Sequence, residues 1–527
     1  MNYAFPYPSR RAPVMAQNVV ATSQPLASQA GLDALAKGGN AVDAALASAI
    51  TLTVVEPTGN GLGSDAFAII WDGTSLHGLN ASGRSPAAWT PDRFAGLQSM
   101  PRRGWESVTV PGAVSAWMEL SKKFGKLPFT ELFESALRYA KNGFLVTPTI
   151  AKLWKQGASE LSGFPGFAET FMPSGKAPAV GTQFRNPAIA SSLSLIARSG
   201  GEAFYQGELA QKIVEAAAQN GAALNAADLA DHQAEWCGTI STRFHGTECH
   251  EIPPAGQGIA ALMAMGIVEH LEIGTLDPDG PEAIHLQIEA VKLAYADLKK
   301  YVGDLSAMRI TSKDLLDPDY LRSRASLVDR HRAQDLGAGA PKHGGTVYLA
   351  TADASGMMVS YIQSNYVGFG SGVVVPETGI HLQNRGFGFT LEQGHPNLVG
   401  PRKRPFHTII PGFLLKDGLP EMSFGVMGGP MQAQGHLQMI VRTQVFGQNA
   451  QAASDAPRWR FTAGLDVACE GTMSTATVAG LDAMGHRVTV EEPDQTFGFG
   501  GAQLIQRIDG GYVGASDHRR DGMAVGY

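Results

Sequence analysis

His343–Gly356 reads HGGTVYLATADASG. Two glycines precede a threonine, and the threonine opens a run, TVYLATAD, that is apolar on both of its alternating faces. A strand of that kind belongs in a sheet covered on both sides. Ala354-Ser355-Gly356 gives a hairpin signal, and MMVSYIQSN (Met357–Asn365) supplies a second strand of the same character. Before the threonine, HRAQDLGAGAPKHGG (His331–Gly345) has few apolar side chains and four glycines, so it reads as an exposed, flexible loop. Upstream of the loop the chain is mainly helical. Helices, then a loop, then a strand that starts with Thr346 imply an α+β fold, a four-layer αββα sandwich whose central strand acquires a new N-terminus.

The helical half is well punctuated. Ala27–Lys37 is stopped by Gly38-Gly39, and Asn40 is a good N-cap for Ala41 to about Val55, which is apolar nearly all round and therefore buried. Pro57-Thr58-Gly59-Asn60-Gly61 breaks that helix, and Ala66–Trp71 follows as a buried strand. Pro111-Gly112 opens a helix to Phe124-Gly125, and Glu131–Asn142 forms another. Gly258–His270 and Glu282–Tyr301 read as longer amphipathic helices. Further β segments are expected at Thr408–Leu415, Arg487–Glu491 and Gln503–Ile508. Of the 527 residues 44% are apolar and 17% charged, with a formal charge of −7. That supports a large core and disfavours nucleic acid or an anionic membrane as the main partner. Three scattered cysteines make neither a disulfide framework nor a zinc site. No apolar run follows Arg10-Arg11 and none reaches membrane-spanning length, so a cytoplasmic location is expected.

A threonine hydroxyl is a weak nucleophile without a base beside it. At a chain start the free α-amine, with a reference pKa of ~7.7–8.0, can be that base. Gly344-Gly345 suit the necessary cut, because glycines tolerate strained angles and leave the Gly345 carbonyl open to the Thr346 hydroxyl. An N→O acyl shift and hydrolysis would leave a large fragment, residues 1–345, and a small one, residues 346–527, folded together as one unit. On the tripeptide alone, a plain strand start is the better reading of Thr346.

The surrounding text resembles the γ-glutamyltransferase family of N-terminal-nucleophile hydrolases over nearly the whole chain. The matching blocks are PLASQAGLDALAKGGNAVDAALASAITLTVVEP (Pro25–Pro57), VPGAVSAWMELSKKFGKLPF (Val110–Phe129), PPAGQGI (Pro253–Ile259), the Thr346 region, SFGVMGGP (Ser423–Pro430), DAPRWRF (Asp455–Phe461) and GASDHRRDGMAVGY (Gly514–Tyr527). The resemblance implies self-cleavage between Gly345 and Thr346 and Thr346 as nucleophile. It implies Ser364 as a hydroxyl bonded to the nucleophile, and Gly428 and Gly429 as oxyanion-hole N–H donors, a role that suits residues without side chains. Without that context, Gly428-Gly429 reads as a plain turn.

The departures from the family pattern bear on substrate. The Asn that holds a glutamyl amino group is replaced by Tyr366, and its Asp partner by Gly388. Two serines become His407 and Thr408. The arginine that clamps the carboxylate aligns with Ser82, leaving Arg84 two residues on and Arg385 as candidate anion binders; a surface side chain is the alternative for each. The lid-like segment Thr390–Pro401 is short. A small pocket that prefers an anion without an ammonium group follows, similar to the branch of the family that hydrolyses oxamate in purine-nitrogen catabolism. The expected reaction takes oxamate to oxalate and ammonia through an acyl-Thr346 ester. A γ-glutamyl hydrolase or transferase, or an acylase on larger groups, stays open, as does a non-catalytic binding protein. No cofactor and no metal are expected: GNGLG (Gly59–Gly63) follows a helix rather than a strand, and Cys249-His250-Glu251 alternate faces. The expected partners are a small-molecule amide and the second cleavage fragment, with a homodimer left open.

Overall fold

In the computed structural model, which describes residues 11–337, 345–491 and 498–527, two seven-stranded sheets lie face to face. One runs in the order Met523–Gly526, Val19–Thr22, Gly345–Ala352, Met358–Tyr366, Asp65–Trp71, Leu76–Asn80, Glu235–Trp236. The other runs Val14–Ala16, Gly511–Ser516, Gly501–Ile508, Leu419–Met427, Gly412–Lys416, Thr247–Glu251, Ile240–Phe244. Tyr348, Ile362, Phe413, Met427 and Ile505 are among the side chains that fill the space between them. Helices Pro25–Ala36, Ala41–Val55 and Ala113–Phe124 cover the first sheet, and Gly258–Val268, Pro281–Tyr301 and Met431–Ile440 cover the second. This is the αββα sandwich of the N-terminal-nucleophile hydrolases, and its two-sided covering explains why the central strands lack a polar face.

Each sheet draws strands from both sides of the Gly345–Thr346 bond. A cut there would leave the two pieces interleaved through two ladders and a shared core rather than as separable domains.

Local signals held where they were chemical. Asn40 caps Ala41–Val55 through a capping box with Asp43, and all fifteen residues of that helix are buried. Gly258–Val268 is also buried on every side rather than amphipathic, being sandwiched between a sheet and outer helices. Glu131–Asn142 divides into a 3₁₀ turn, Phe129–Phe133, and a helix, Glu134–Asn142. The strand expected over Thr408–Leu415 begins only at Gly412, because His407 and Thr408 are engaged elsewhere. Residues 338–344 of the expected loop lie outside the described residues. Among those before them, Ala333 is buried and its N–H bonds the Met484 carbonyl.

Candidate active site

Thr346 is the second residue of the Gly345–Ala352 strand and is 1% exposed. The ladder to Met358–Tyr366 slips between Gly345 and Val347, so Thr346 stands at an irregularity. The Gly59 loop presses on it: a Cβ on Gly59 would lie 3.2–3.3 Å from the Thr346 main chain. Asn60 fixes that loop through bonds to the Leu52 and Glu56 carbonyls and from Gln363. The glycine-rich GNGLG stretch is thus a close-packing device at the head of the central strand.

Ser364 lies between the Thr346 hydroxyl and the peptide bond before it. Its Oγ is 3.2 Å from Thr346 Oγ1, 2.5 Å from the Gly345 carbonyl oxygen and 2.8 Å from the Tyr366 N–H. A hydroxyl has one proton and two lone pairs. The carbonyl can only accept and the amide can only donate. Ser364 therefore gives its proton to Gly345 and accepts from Tyr366, which leaves its second lone pair for the Thr346 hydroxyl. The order Thr346 O–H → Ser364 O–H → Gly345 C=O is fixed by elimination.

Gly428 and Gly429 form the turn between Leu419–Met427 and Met431–Ile440, with φ of +120° and +61°. Only glycine takes such angles cheaply. Three residues before Gly428 in the same strand, a Cβ on Gly425 would strike the Tyr348 ring at 2.3 Å, which places this end of the second sheet over the start of the Thr346 strand. Gln257, from the PPAGQGI block, supports the turn by donating its side-chain amide to the Gly429 carbonyl (2.8 Å) and the Thr408 carbonyl (2.5 Å). Its role was not legible in the sequence, where a glutamine in a glycine-proline loop carries no chemical signature.

Next to Ser364 in the ladder, Asp65 pairs across to the Met358–Tyr366 strand. Its Oδ2 is 3.2 Å from His407 Nε2 and 3.7 Å from Arg385 Nε, while Gly83 N–H donates to Oδ1. Because Ile409 N–H points at His407 Nδ1, the imidazole is neutral and gives its Nε2 proton to Asp65. Burial pushes the Asp65 carboxyl up to about 7 against the pull of Arg385, and holds His407 well below its ordinary value. Arg385 has no exposed surface. It gives Nη1–H to Thr408 Oγ1 at 3.0 Å and lies 4.4 Å over the Tyr366 ring, yet its Nε and Nη2 lack hydrogen-bond partners. Tyr366 takes a left-handed φ of +77°, a strained choice for an aromatic residue.

Thr346, Ser364, Tyr366, Arg385, His407 and Thr408 thus fall into one chain of contacts, with Asp65 as a member the sequence reading missed. An acid heading the otherwise apolar DAFAIIW was the available signal. Arg84 is not drawn into this chain. It is 45% exposed and pairs with Asp304 at 3.5 Å and Glu235 at 4.0 Å.

His285, Glu289 and His486 are the metal-ligand types that converge elsewhere among the described residues, with ligand atoms within 4.8 Å of one another. His285 bonds His486 and the Asp329 carbonyl, and Glu289 bonds Lys292 and the Gln334 N–H. An ammonium at 2.7 Å from the carboxylate opposes a cation there. No helix among the described residues is long and apolar enough to cross a membrane.

The gamma-glutamyltranspeptidase family model matches residues 27–527. The chain is 36% identical to the glutathione hydrolase-like YwrD proenzyme of Bacillus subtilis, over 97% of this chain and 98% of that one. It is 35% identical to the oxamate amidohydrolase proenzyme of Klebsiella pneumoniae, over 95% and 97%. Among solved structures, the cephalosporin acylase of Bacillus halodurans superposes with a TM-score of 0.95 at 46% identity, covering 100% of this chain and 99% of that one. The chain belongs to the gamma-glutamyltranspeptidase family and is an enzyme that acts on amide bonds.

Proposed function

We propose that the chain cuts itself between Gly345 and Thr346 and then hydrolyses a small amide that carries a carboxylate, with oxamate as the substrate that fits best. The observation that carries this reading is Arg385. An unpartnered buried donor costs about 1–3 kcal/mol, and here Nη2 has no hydrogen-bond partner and Nε only the Asp65 carboxylate at 3.7 Å, on a guanidinium stacked over Tyr366, two residues along the strand from Ser364. A carboxylate would satisfy both in two-point fashion.

In the uncut chain, Ser364 polarises the Gly345 carbonyl and can relay the Thr346 proton, which favours attack of Thr346 Oγ1 on that carbonyl. The ester that forms is hydrolysed, freeing the Thr346 α-amine. In the mature enzyme that amine takes the hydroxyl proton, Oγ1 attacks the substrate amide carbon, and the Gly428 and Gly429 N–H groups hold the oxyanion. Ammonia leaves with the proton. Water then releases oxalate from the acyl-Thr346 ester. The two fragments stay together as residues 1–345 and 346–527 of one folded unit, in a cytoplasmic enzyme of purine-nitrogen breakdown. Ammonia release from oxamate, compared with release from γ-glutamyl-anilides, tests the assignment. Preferential turnover of oxamate is expected, and robust glutamyl transfer to a dipeptide would contradict it.

One observation favours a second reading. A cleft of about 480 Å³ borders Gln257, Phe406 and Pro430 behind the glycine turn. It has the size of a site for a substantial organic group. Activity on larger acyl amides, as the name of the cephalosporin acylase indicates for that relative, is the corresponding alternative.

A further inference from the structure

We propose that the Asp65–His407 pair takes up one proton when a carboxylate binds against Arg385, so that anionic ligands enter this site with their charge balanced by solvent protons. The proposal rests on the reading of Arg385 as the anion binder.

The argument is one of charge counting in a dry site. Arg385, Asp65 and His407 are each at most 1% exposed. With His407 neutral, Arg385 and Asp65 cancel. A substrate carboxylate brings the sum to −1 in a fully buried cluster, the second carboxylate of oxalate only adding to it, and a carboxylate beside Asp65 disfavours ionisation of both. The other groups that face Asp65 do not offset this. Gly83 and Gly112 offer only N–H groups, Tyr205 is a buried phenol raised by its own burial, and Arg404 lies further off, paired with Glu235. Ser364, opposite Asp65 in the ladder, is uncharged. Asp65 is already raised to about 7 in the empty site, so a modest further push holds its proton through neutral pH. The sign follows. Above about 7 the empty site is ionised and the filled site is protonated, so binding consumes a proton and affinity falls by up to about tenfold per pH unit. Well below 7 the proton is already present and no uptake accompanies binding.

The test is calorimetric titration of oxalate into the mature enzyme, in two buffers of different protonation enthalpy, at about pH 8 and about pH 5.5. Close to one proton taken up at the higher pH, and little at the lower, is the expected result. Asp65→Asn should take up about one proton fewer than the parent, any remainder belonging to the Thr346 α-amine, and should bind oxalate more tightly at the higher pH. Glu56 is a second buried acid raised to about 7, so Glu56→Gln is the control, in which uptake must persist. If Asp65→Asn does not fold, the same titration of the uncleaved Thr346→Ala chain, which has no free α-amine at the site to take the proton instead, decides together with the Glu56→Gln control. Oxalate binding with no uptake at the higher pH, or uptake lost in Glu56→Gln, would overturn the proposal and leave the Arg385 reading intact. No oxalate binding under any condition would overturn both.

Discussion

Ser364 Oγ stands 3.2 Å from Thr346 Oγ1, and its own proton is directed to the Gly345 carbonyl oxygen 2.5 Å away. One hydroxyl thereby touches both groups that the proposed self-cleavage would join, the Thr346 hydroxyl and the Gly345 carbonyl. Ser364→Ala removes both contacts at once. Self-cleavage should slow by on the order of 10², at the low end of what a positioned proton-transfer group contributes. Ser364→Thr keeps the hydroxyl and should cleave at a rate close to the parent. The fraction of intact chain over time on a denaturing gel measures both.

Arg385 and Arg84 separate cleanly. Replacing Arg385 by Gln removes charge-assisted contacts worth about 1.5–3 kcal/mol, so KM for an anionic amide should rise by roughly 10- to 150-fold. Arg385→Lys should not restore it, because a point charge cannot occupy two donor positions over the Tyr366 ring. Arg84→Ala removes long ion pairs to Glu235 and to the buried Asp304, made from a half-exposed guanidinium and each worth about 0–1 kcal/mol, and a hydrogen bond to the Arg402 carbonyl. Its steady-state kinetics should stay within about twofold of the parent on that scale.

Gln257 touches no reacting atom, but its amide ties the Gly429 carbonyl to the Thr408 carbonyl. Gln257→Ala should lower kcat about tenfold with KM little changed, less than the 10²–10³ that loss of an oxyanion donor costs. Parallel losses in kcat and thermal stability, with KM rising too, would mark Gln257 as a general packing residue instead.

The fold was legible because its signals are local and periodic. Asn40 before an apolar helix, the double-faced apolar strands after Thr346 and the hairpin at Ala354-Ser355-Gly356 each follow from short-range chemistry. Thr346 and Ser364 were legible only through the order of motifs around them. What the sequence hid are contacts between distant segments. Asp65, Arg385 and His407 come from three parts of the chain and meet only in the folded sandwich. Arg385, in RGFG, reads equally as an anion binder or a surface side chain until the fold buries it, with Trp89 and Ser107 closing over the neighbouring Gly386.

Gly388 stands where the family pattern has an acid, so restoring that acid is the obvious route to glutamyl activity. The backbone forbids it: a Cβ at Gly388 would lie 2.5 Å from the Phe406 carbonyl oxygen. Gly388→Asp should cost about 1–3 kcal/mol from overpacking and gain no turnover of a γ-glutamyl-anilide. Differential scanning calorimetry and an anilide assay on the same preparation check both halves.

The central claim, that Thr346 opens its own peptide bond and becomes a chain start, is tested most directly by denaturing mass spectrometry of the purified protein beside Thr346→Ala. The expected wild-type spectrum holds two fragments, the smaller beginning at Thr346, and the variant spectrum holds one intact chain. A wild-type chain that remains whole after long incubation, or a variant cut at the same bond, would contradict it.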